Sequence, residues 1–415
     1  MPLKKTFQLI LFILSAEIIY ALPYVFIRIF RPTFLYAFDI SNTNIGYCYT
    51  IYGIIALVSY FFGGIIADKY QPKYLMSLAL FLTGLGGFFW VLFPSLTTLY
   101  ILYAYWGVTT ILLFWSPLIK ATRIWGGNDK QITGFGFLEG GRGIVAAIIG
   151  TLGVFLFSYT IPETNLSKIQ LQTAMNKVYL IISILSILLA GLFLLLPNYS
   201  NEEKSKIITT KSYKYNILES FKYPVIWILM LIILSAYTGF RIGDIFTQYV
   251  SEIYNYNEKE SASLGVAFAY LRPLICLVVI FLAKDKTPTK WLIIGFTIMA
   301  IGSLFLTLSL NLSITYIAGL TSLVSTLIGV YVIRVVYFTI LEETNIPLTI
   351  TGTVIGLISI FCFLPDIFTG PLIGYYLDEI GGEVGYQYLF IFLLANSIIG
   401  LLASIFLHKT MKLRR

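Results

Sequence analysis

Apolar runs of about 20 to 28 residues recur from one end of the chain to the other, and each is long enough to cross hydrocarbon as a helix. None shows the roughly ten-residue alternation of a barrel strand. With no water to satisfy the backbone, a span must be a helix or part of a closed barrel, so the continuous runs predict helices. Twelve spans are expected, at 6–28, 43–66, 74–94, 97–122, 133–158, 176–197, 225–248, 261–282, 290–309, 313–340, 349–375 and 386–407. The connections are short except for NYSNEEKSKIITTKSYKYNILESFKY at 198–223, which is polar and basic and divides the spans six and six. The expected organisation is an N-terminal six-helix bundle over 1–197, a cytoplasmic linker over 198–223 and a C-terminal six-helix bundle over 224–415.

Composition agrees with an all-α membrane protein. The 415 residues are 58% hydrophobic and 12% charged, against about a quarter charged in a soluble domain. Lys4 and Lys5 precede an apolar run with no small-residue cleavage site before Pro23, so the first span is expected to stay in the mature protein. Cys48, Cys276 and Cys362 lie far apart without metal-ligand spacing. The single histidine, His408, sits at the C-terminal membrane edge, out of reach of a metal site or catalytic triad. No Gly-x-x-x-x-Gly-Lys-Ser/Thr occurs, so ATP is not expected to drive the protein directly. No cofactor box is read among the tyrosines and phenylalanines. The absence of a nucleophile–base or metal constellation argues against an enzyme.

Lysine and arginine set the expected topology. With the N-terminus inside, the inner segments hold Lys4, Lys5, Lys69, Lys73, Arg123, Lys130, five lysines of 198–223, Lys284, Lys286, Lys290 and four residues of the tail. The outer loops and edges hold only Arg31, Lys168, Lys177 and Lys259. Both termini are therefore expected in the cytoplasm. The net charge of +8 expresses this bias and not a nucleic-acid surface.

The two halves resemble each other. Asp68 follows span 2 and Asp285 follows span 8, 217 residues apart. Ile132-Thr133-Gly134 and Ile350-Thr351-Gly352 open spans 5 and 11, 218 apart. Tyr24-x-x-x-Arg28 and Tyr237-x-x-x-Arg241 lie in spans 1 and 7, 213 apart. Parallel repeats of six helices imply a pseudo-two-fold axis along the membrane normal and a site between the halves.

Gly64-Ile-Ile-Ala-Asp68-Lys69-Tyr-Gln-Pro-Lys73 resembles the loop 2–3 signature of the major facilitator superfamily, Gly-x-x-x-Asp-Arg-x-Gly-Arg-Arg. The internal glycine is Gln71 here, and one basic position is Pro72. The resemblance in topology covers the whole chain. It implies a gating role for Gly64, Asp68, Lys69 and Lys73, in which the loop locks one conformation through charge interactions with neighbouring helix ends.

Ionisable residues inside a span are costly and usually face a polar cavity. They are Glu17 and Arg28 in span 1, Lys120 in span 4, Glu139 and Arg142 in span 5, and Arg241 and Asp244 in span 7. Arg272 follows in span 8, Arg334 in span 10 with Glu342 and Glu343 at its end, and Asp366 in span 11. Spans 3, 6, 9 and 12 carry none in their interiors. The family resemblance implies that helices 1, 4, 7 and 10 line the central cavity and that 3, 6, 9 and 12 face lipid. Glu139 with Arg142, and Arg241 with Asp244, are three apart and share a helical face. Glu17 and Arg28 are separated by roughly 16 Å of helix rise and cannot pair directly. Within the spans, Arg28, Arg142, Arg241, Arg272 and Arg334 stand against Glu17, Glu139, Asp244 and Asp366, a surplus of one positive charge, or two if Lys120 reaches inward, which favours an anion, since a guanidinium fork suits phosphate and carboxylate oxygens.

Arg28 and Arg241 on equivalent helices look like the organophosphate:phosphate antiporter branch, where one arginine from helix 1 and one from helix 7 clasp phosphate. The resemblance implies a substrate site of Arg28, Arg241, Tyr24 and Tyr237, with Arg142 and Arg272 shaping its field. That branch carries a histidine in helix 5, whereas this chain has Glu139-Gly-Gly-Arg142-Gly. Glu17, Glu139, Asp244 and Asp366 are candidates for proton coupling. Seven glycines in span 5 permit close helix approach, and Pro365 and Pro371 predict a kink beside Asp366 in span 11. The expected function is secondary transport of a small anion by alternating access, with the bilayer as the other partner and the chain acting as a monomer. The rivals are a transporter of amphipathic or cationic compounds and a non-transporting sensor of the same fold.

Overall fold

The computed structural model describes residues 3–126, 131–160, 167–198, 224–282, 288–309, 316–337, 361 and 364–414. The loop duplicate around Asp285, the repeat Ile350-Thr351-Gly352, Glu342, Glu343, Cys362, Lys130, and the central segment 199–223 lie outside the described residues. So does most of expected span 11. Among the described residues every regular element is helical, and ten helices are long and apolar enough to cross a membrane.

The chain divides into two units. The first comprises Met1–Ile208 with Asn255–Tyr270, and the second Thr209–Tyr254 with Leu271–Arg415.

In the first unit, span 1 is built from α1 (Leu3–Tyr20), a π-helical turn (Ala21–Val25) and α2 (Phe26–Ile29). Pro23 has no N–H to donate, and the chain accommodates it with a wider turn in which the Phe26 N–H reaches the Ala21 carbonyl. The Tyr103 hydroxyl donates to the Pro23 carbonyl. A short helix, α3 (Arg31–Phe38), follows. Arg31, expected at the membrane edge, is buried, and its guanidinium donates to Asn42 Oδ1 from Nε at 3.1 Å and Nη2 at 2.8 Å.

The unit continues with α4 (Asn42–Lys69), α5 (Pro72–Leu92) and α6 (Leu96–Gly107). Span 4 then passes through a second π-helical stretch (Val108–Trp115) into α7 (Ser116–Gly126). Spans 5 and 6 are α8 (Gln131–Thr160) and α9 (Lys168–Leu194). α9 starts eight residues before the expected 176 because Ser167 and Gln170 form a capping box.

α1 packs on α8, and α5 on α9. The approach of span 1 to α8 depends on glycine. A Cβ on Gly141 would lie 2.6 Å from Ile13 Cγ2, and one on Gly153 would lie 2.6 Å from Phe26 Cε1. At these two positions α8 has no side chain where span 1 comes against it, at Ile13 of α1 and at Phe26 of α2.

The second unit holds span 7 as α10 (Pro224–Ile242), a 3₁₀ turn (Gly243–Ile245) and α11 (Phe246–Ile253). α12 (Glu258–Leu282) begins in the first unit and ends in the second. α13 (Pro288–Ser309), α14 (Tyr316–Val336), α15 (364–374), a π-helical turn (Tyr375–Ile380) and α16 (Gly382–Arg414) complete it. α13 packs against both α14 and α16.

Candidate functional site

Each unit places one arginine between two carboxylates. In the first, Arg142 Nε lies 3.1 Å from Glu17 Oε2, and Arg142 Nη1 lies 3.0 Å from Glu139 Oε1. Glu139 is one turn away on the same helix, whereas Glu17 comes from α1. The Arg142 side chain is 11% exposed and Glu17 7%, but Glu139 is 53% exposed. Two aromatic rings complete the setting. The Arg142 guanidinium carbon sits 5.7 Å from the Tyr20 ring centre and 5.5 Å from that of Trp115. Trp115 ends the π-helical stretch of span 4, whose wider turn changes the angular phase of the helix and sets where that ring points.

In the second unit, Arg241 Nη1 lies 2.6 Å from Asp244 Oδ2 and Nε lies 2.8 Å from Asp366 Oδ1. All three side chains are 2% exposed. The Tyr237 hydroxyl donates to Asp366, at 3.2 and 3.3 Å from its two oxygens. Asp244 reaches back because the 3₁₀ turn tightens span 7 just after Arg241. Beside this triad, the Arg334 guanidinium carbon stands 4.0 Å from the centre of the Phe240 ring and 5.8 Å from that of Tyr237. Arg334 Nη1 is buried and has no hydrogen-bond acceptor among the described residues.

The expected i,i+3 pairs are both present. The cross-helix partners, Glu17 for Arg142 and Asp366 for Arg241, were not expected. Of the arginines expected to bind substrate, Arg241 is engaged by two acids, Asp244 and Asp366. Trp115, Tyr20 and Phe240 were not singled out from sequence, although each lies within a few positions of a span charge or on a charged span.

The remaining candidates fall elsewhere. Arg28 is half-buried in the last turn of α2. Tyr24, in the π-helical turn, packs its ring against Tyr49 at 5.2 Å and Tyr52 at 5.0 Å. Arg28 and Arg241 belong to different units. Arg272 is half-buried beside Pro273 inside α12. Lys120 donates to the Ala67 carbonyl at the end of α4, 2.7 Å away, so its charge serves a helix C-terminus.

In the loop 2–3 signature, Gly64 is exposed and a Cβ there would meet nothing within 4 Å. Lys69 is exposed. Lys73 is buried and donates to the Leu196 carbonyl at 2.7 Å, just past the end of α9. The Asp68 side chain lies outside the described residues. Among the described residues no cluster of His, Cys, Asp and Glu could hold a metal.

A family model described as the Major Facilitator Superfamily matches residues 13–369. Two relatives from Escherichia coli (strain K12) span nearly the same length. Inner membrane protein YqcE is 26% identical over 84% of this chain and 81% of its own. Inner membrane protein YihN is 24% identical over 99% of this chain and 97% of its own. Among solved structures, the nucleoside transporter NupG superposes with a TM-score of 0.70 at 15% identity, covering 99% of this chain and 100% of that one. A bacterial homolog of the human lysosomal transporter Spinster, inward-facing and occupied, gives 0.72 at 15% identity over 99% and 97%. At these identities the structural likeness speaks for the fold.

Proposed function

The chain belongs to the Major Facilitator Superfamily and is a multi-pass secondary transporter, and from that premise we propose that its solute is a small anion bearing phosphate or carboxylate oxygens, moved by alternating access. The observation that carries this reading is Arg334. Its guanidinium lies against Phe240 with a buried Nη1 that has no acceptor among the described residues. A buried donor without a partner costs about 1–3 kcal/mol, more when charged. An oxyanion arriving there recovers that cost and brings a charge-assisted bond. Arg241 frames the same region, held in place by Asp244 and Asp366.

The resemblance of the two Tyr-x-x-x-Arg stretches to the organophosphate:phosphate antiporter branch makes phosphate the first probe. The excess of lysine and arginine in alternate loops supports a cytoplasmic-membrane protein with both termini inside. The test is ligand-induced thermal stabilisation of the purified protein by phosphate, a phosphate monoester and a dicarboxylate, against an uncharged polyol. Stabilisation by an anion in wild type and its loss in Arg334→Ala is the expected result. Stabilisation by the polyol alone would refute the anion reading.

A second reading, transport of a cationic compound, draws on the first unit. There Glu17 and Glu139 carry two negative charges against one on Arg142. An organic cation that stabilises wild type but not Glu139→Gln would favour it.

A further inference from the structure

Four charges surround the Tyr237 phenol: Asp366, Arg241, Arg334 and Asp244. Two are positive and two negative, so among the described residues these charges balance when no solute is present. An anion that docks on Arg334 adds a negative charge to a region whose acids are 2% exposed. Separated from water, that charge has to be matched by an incoming positive one, since an uncompensated buried charge is strongly disfavoured. The smallest candidate is a proton.

We infer that Asp366 is where a proton enters together with the solute anion, and that Tyr237 is the residue joining the two events. This rests on the anion reading above. Asp366 is the better placed of the two acids. Asp244 holds Arg241 from the same helix, three residues on, at 2.6 Å. Asp366 comes from a different helix and also accepts from Tyr237. The ring of Tyr237 lies 5.8 Å from the Arg334 guanidinium carbon, while its hydroxyl reaches Asp366. A phenol hydroxyl both donates and accepts. It donates to the Asp366 carboxylate and accepts from the carboxylic acid, so the contact survives protonation. The proton binds a carboxylate oxygen of Asp366, and Arg241 keeps Asp244 as its counter-ion. One proton would then accompany each added negative charge.

The experiment has two arms. Thermal unfolding in detergent compares wild type with Arg334→Gln, Asp366→Asn and the double variant. Arg334→Gln removes a buried donor that has no acceptor among the described residues but leaves Asp244 and Asp366 against Arg241 alone. The second effect is expected to dominate and to lower the melting temperature by about 2 °C or more, and adding Asp366→Asn, which removes the excess negative charge, is expected to restore part of that loss. Radiolabelled phosphate flux into proteoliposomes is the second arm. Asp366→Asn is expected to retain measurable counterflow at equal pH and to lose accumulation driven by an inward proton gradient, and Tyr237→Phe is expected to weaken that gradient-driven accumulation. Asp366→Glu, which keeps a titrating group, serves as the folding control and should accumulate phosphate. Additive melting losses would overturn the charge link whatever the solute. Gradient-driven accumulation surviving in Asp366→Asn would overturn the proton site. Non-additive melting without phosphate counterflow in wild type would leave the link standing and remove the phosphate reading instead.

Discussion

Arg241 Nε lies 2.8 Å from Asp366 Oδ1, which ties span 7 to span 11. The first unit ties its own first and fifth spans with the same chemistry, Arg142 Nε to Glu17 Oε2 at 3.1 Å. The signs are exchanged. In the first unit the acid is on the first span and the arginine on the fifth, and in the second unit the reverse. Each arginine also takes a carboxylate three residues away on its own helix. The two units thus each keep a charged tie between their first and fifth spans while reversing which span carries which charge.

The burial of these ties differs, and their variants should differ accordingly. Removing one partner of a buried pair costs about 3–5 kcal/mol because the other charge is stranded. Arg241→Met strands two acids that are 2% exposed and should cost at least that much. Arg142→Met strands Glu17, but Glu139 is 53% exposed and can be solvated, so the cost should be smaller. Chemical unfolding of both variants in the same detergent gives the comparison. Equal losses would mean that burial does not govern these pairs.

Trp115 should matter through its ring. Its face lies 5.5 Å from the Arg142 guanidinium carbon, and a cation–π contact contributes roughly 0.5–2 kcal/mol. Trp115→Ala should lower stability by about that amount, and Trp115→Phe, which keeps an aromatic face toward Arg142, should lose less. Thermal unfolding of the two variants beside wild type gives the comparison; equal losses would mean that the ring face contributes nothing.

Much of this arrangement is legible in the sequence, and the remainder is not for a definable reason. Helical spans follow from the length of each apolar run, and i,i+3 partners follow from helix geometry, so Arg142–Glu139 and Arg241–Asp244 could be read directly. Glu17 and Asp366 meet arginines on other helices, and that contact depends on how closely two helices pack. The glycines of span 5 gave a hint of it: Gly141 and Gly153 are where span 1 presses in. The π-helical stretches could not be foreseen. Pro23 predicts a disturbed turn, but nothing in VTTILLFW announces the widening that ends at Trp115. A count of surplus arginines does not say which arginine is the surplus one, and two acids engage Arg241.

Close packing in the second unit makes a sharper stability test. A Cβ on Gly329 would fall 2.5 Å from the Met299 backbone nitrogen and 2.6 Å from the Gly295 carbonyl oxygen. Backbone cannot rotate aside, so Gly329→Ala must separate α13 from α14, at about 1–3 kcal/mol or more. Gly140→Ala, where a Cβ meets nothing within 4 Å, should instead gain up to about 1 kcal/mol from helix propensity. Thermal unfolding should move the two variants in opposite directions.

The two lysines of the loop 2–3 signature should separate as well. Lys73 donates to the Leu196 carbonyl from a buried position, and a hydrogen bond to a charged group contributes about 1.5–3 kcal/mol. Lys73→Met should therefore lower stability in every condition. Lys69→Met, at an exposed site, should leave stability unchanged. Any gating role of Lys69 would then appear in transport rate alone, measured by uptake with matched amounts of folded protein.

The most direct test of the anion site is phosphate counterflow. Proteoliposomes preloaded with phosphate are given radiolabelled phosphate outside, with wild type beside Arg334→Ala and Arg334→Lys. The account predicts exchange in wild type, none in Arg334→Ala, and partial exchange in Arg334→Lys, which keeps the charge but loses the planar fork. Undiminished exchange in folded Arg334→Ala would contradict it.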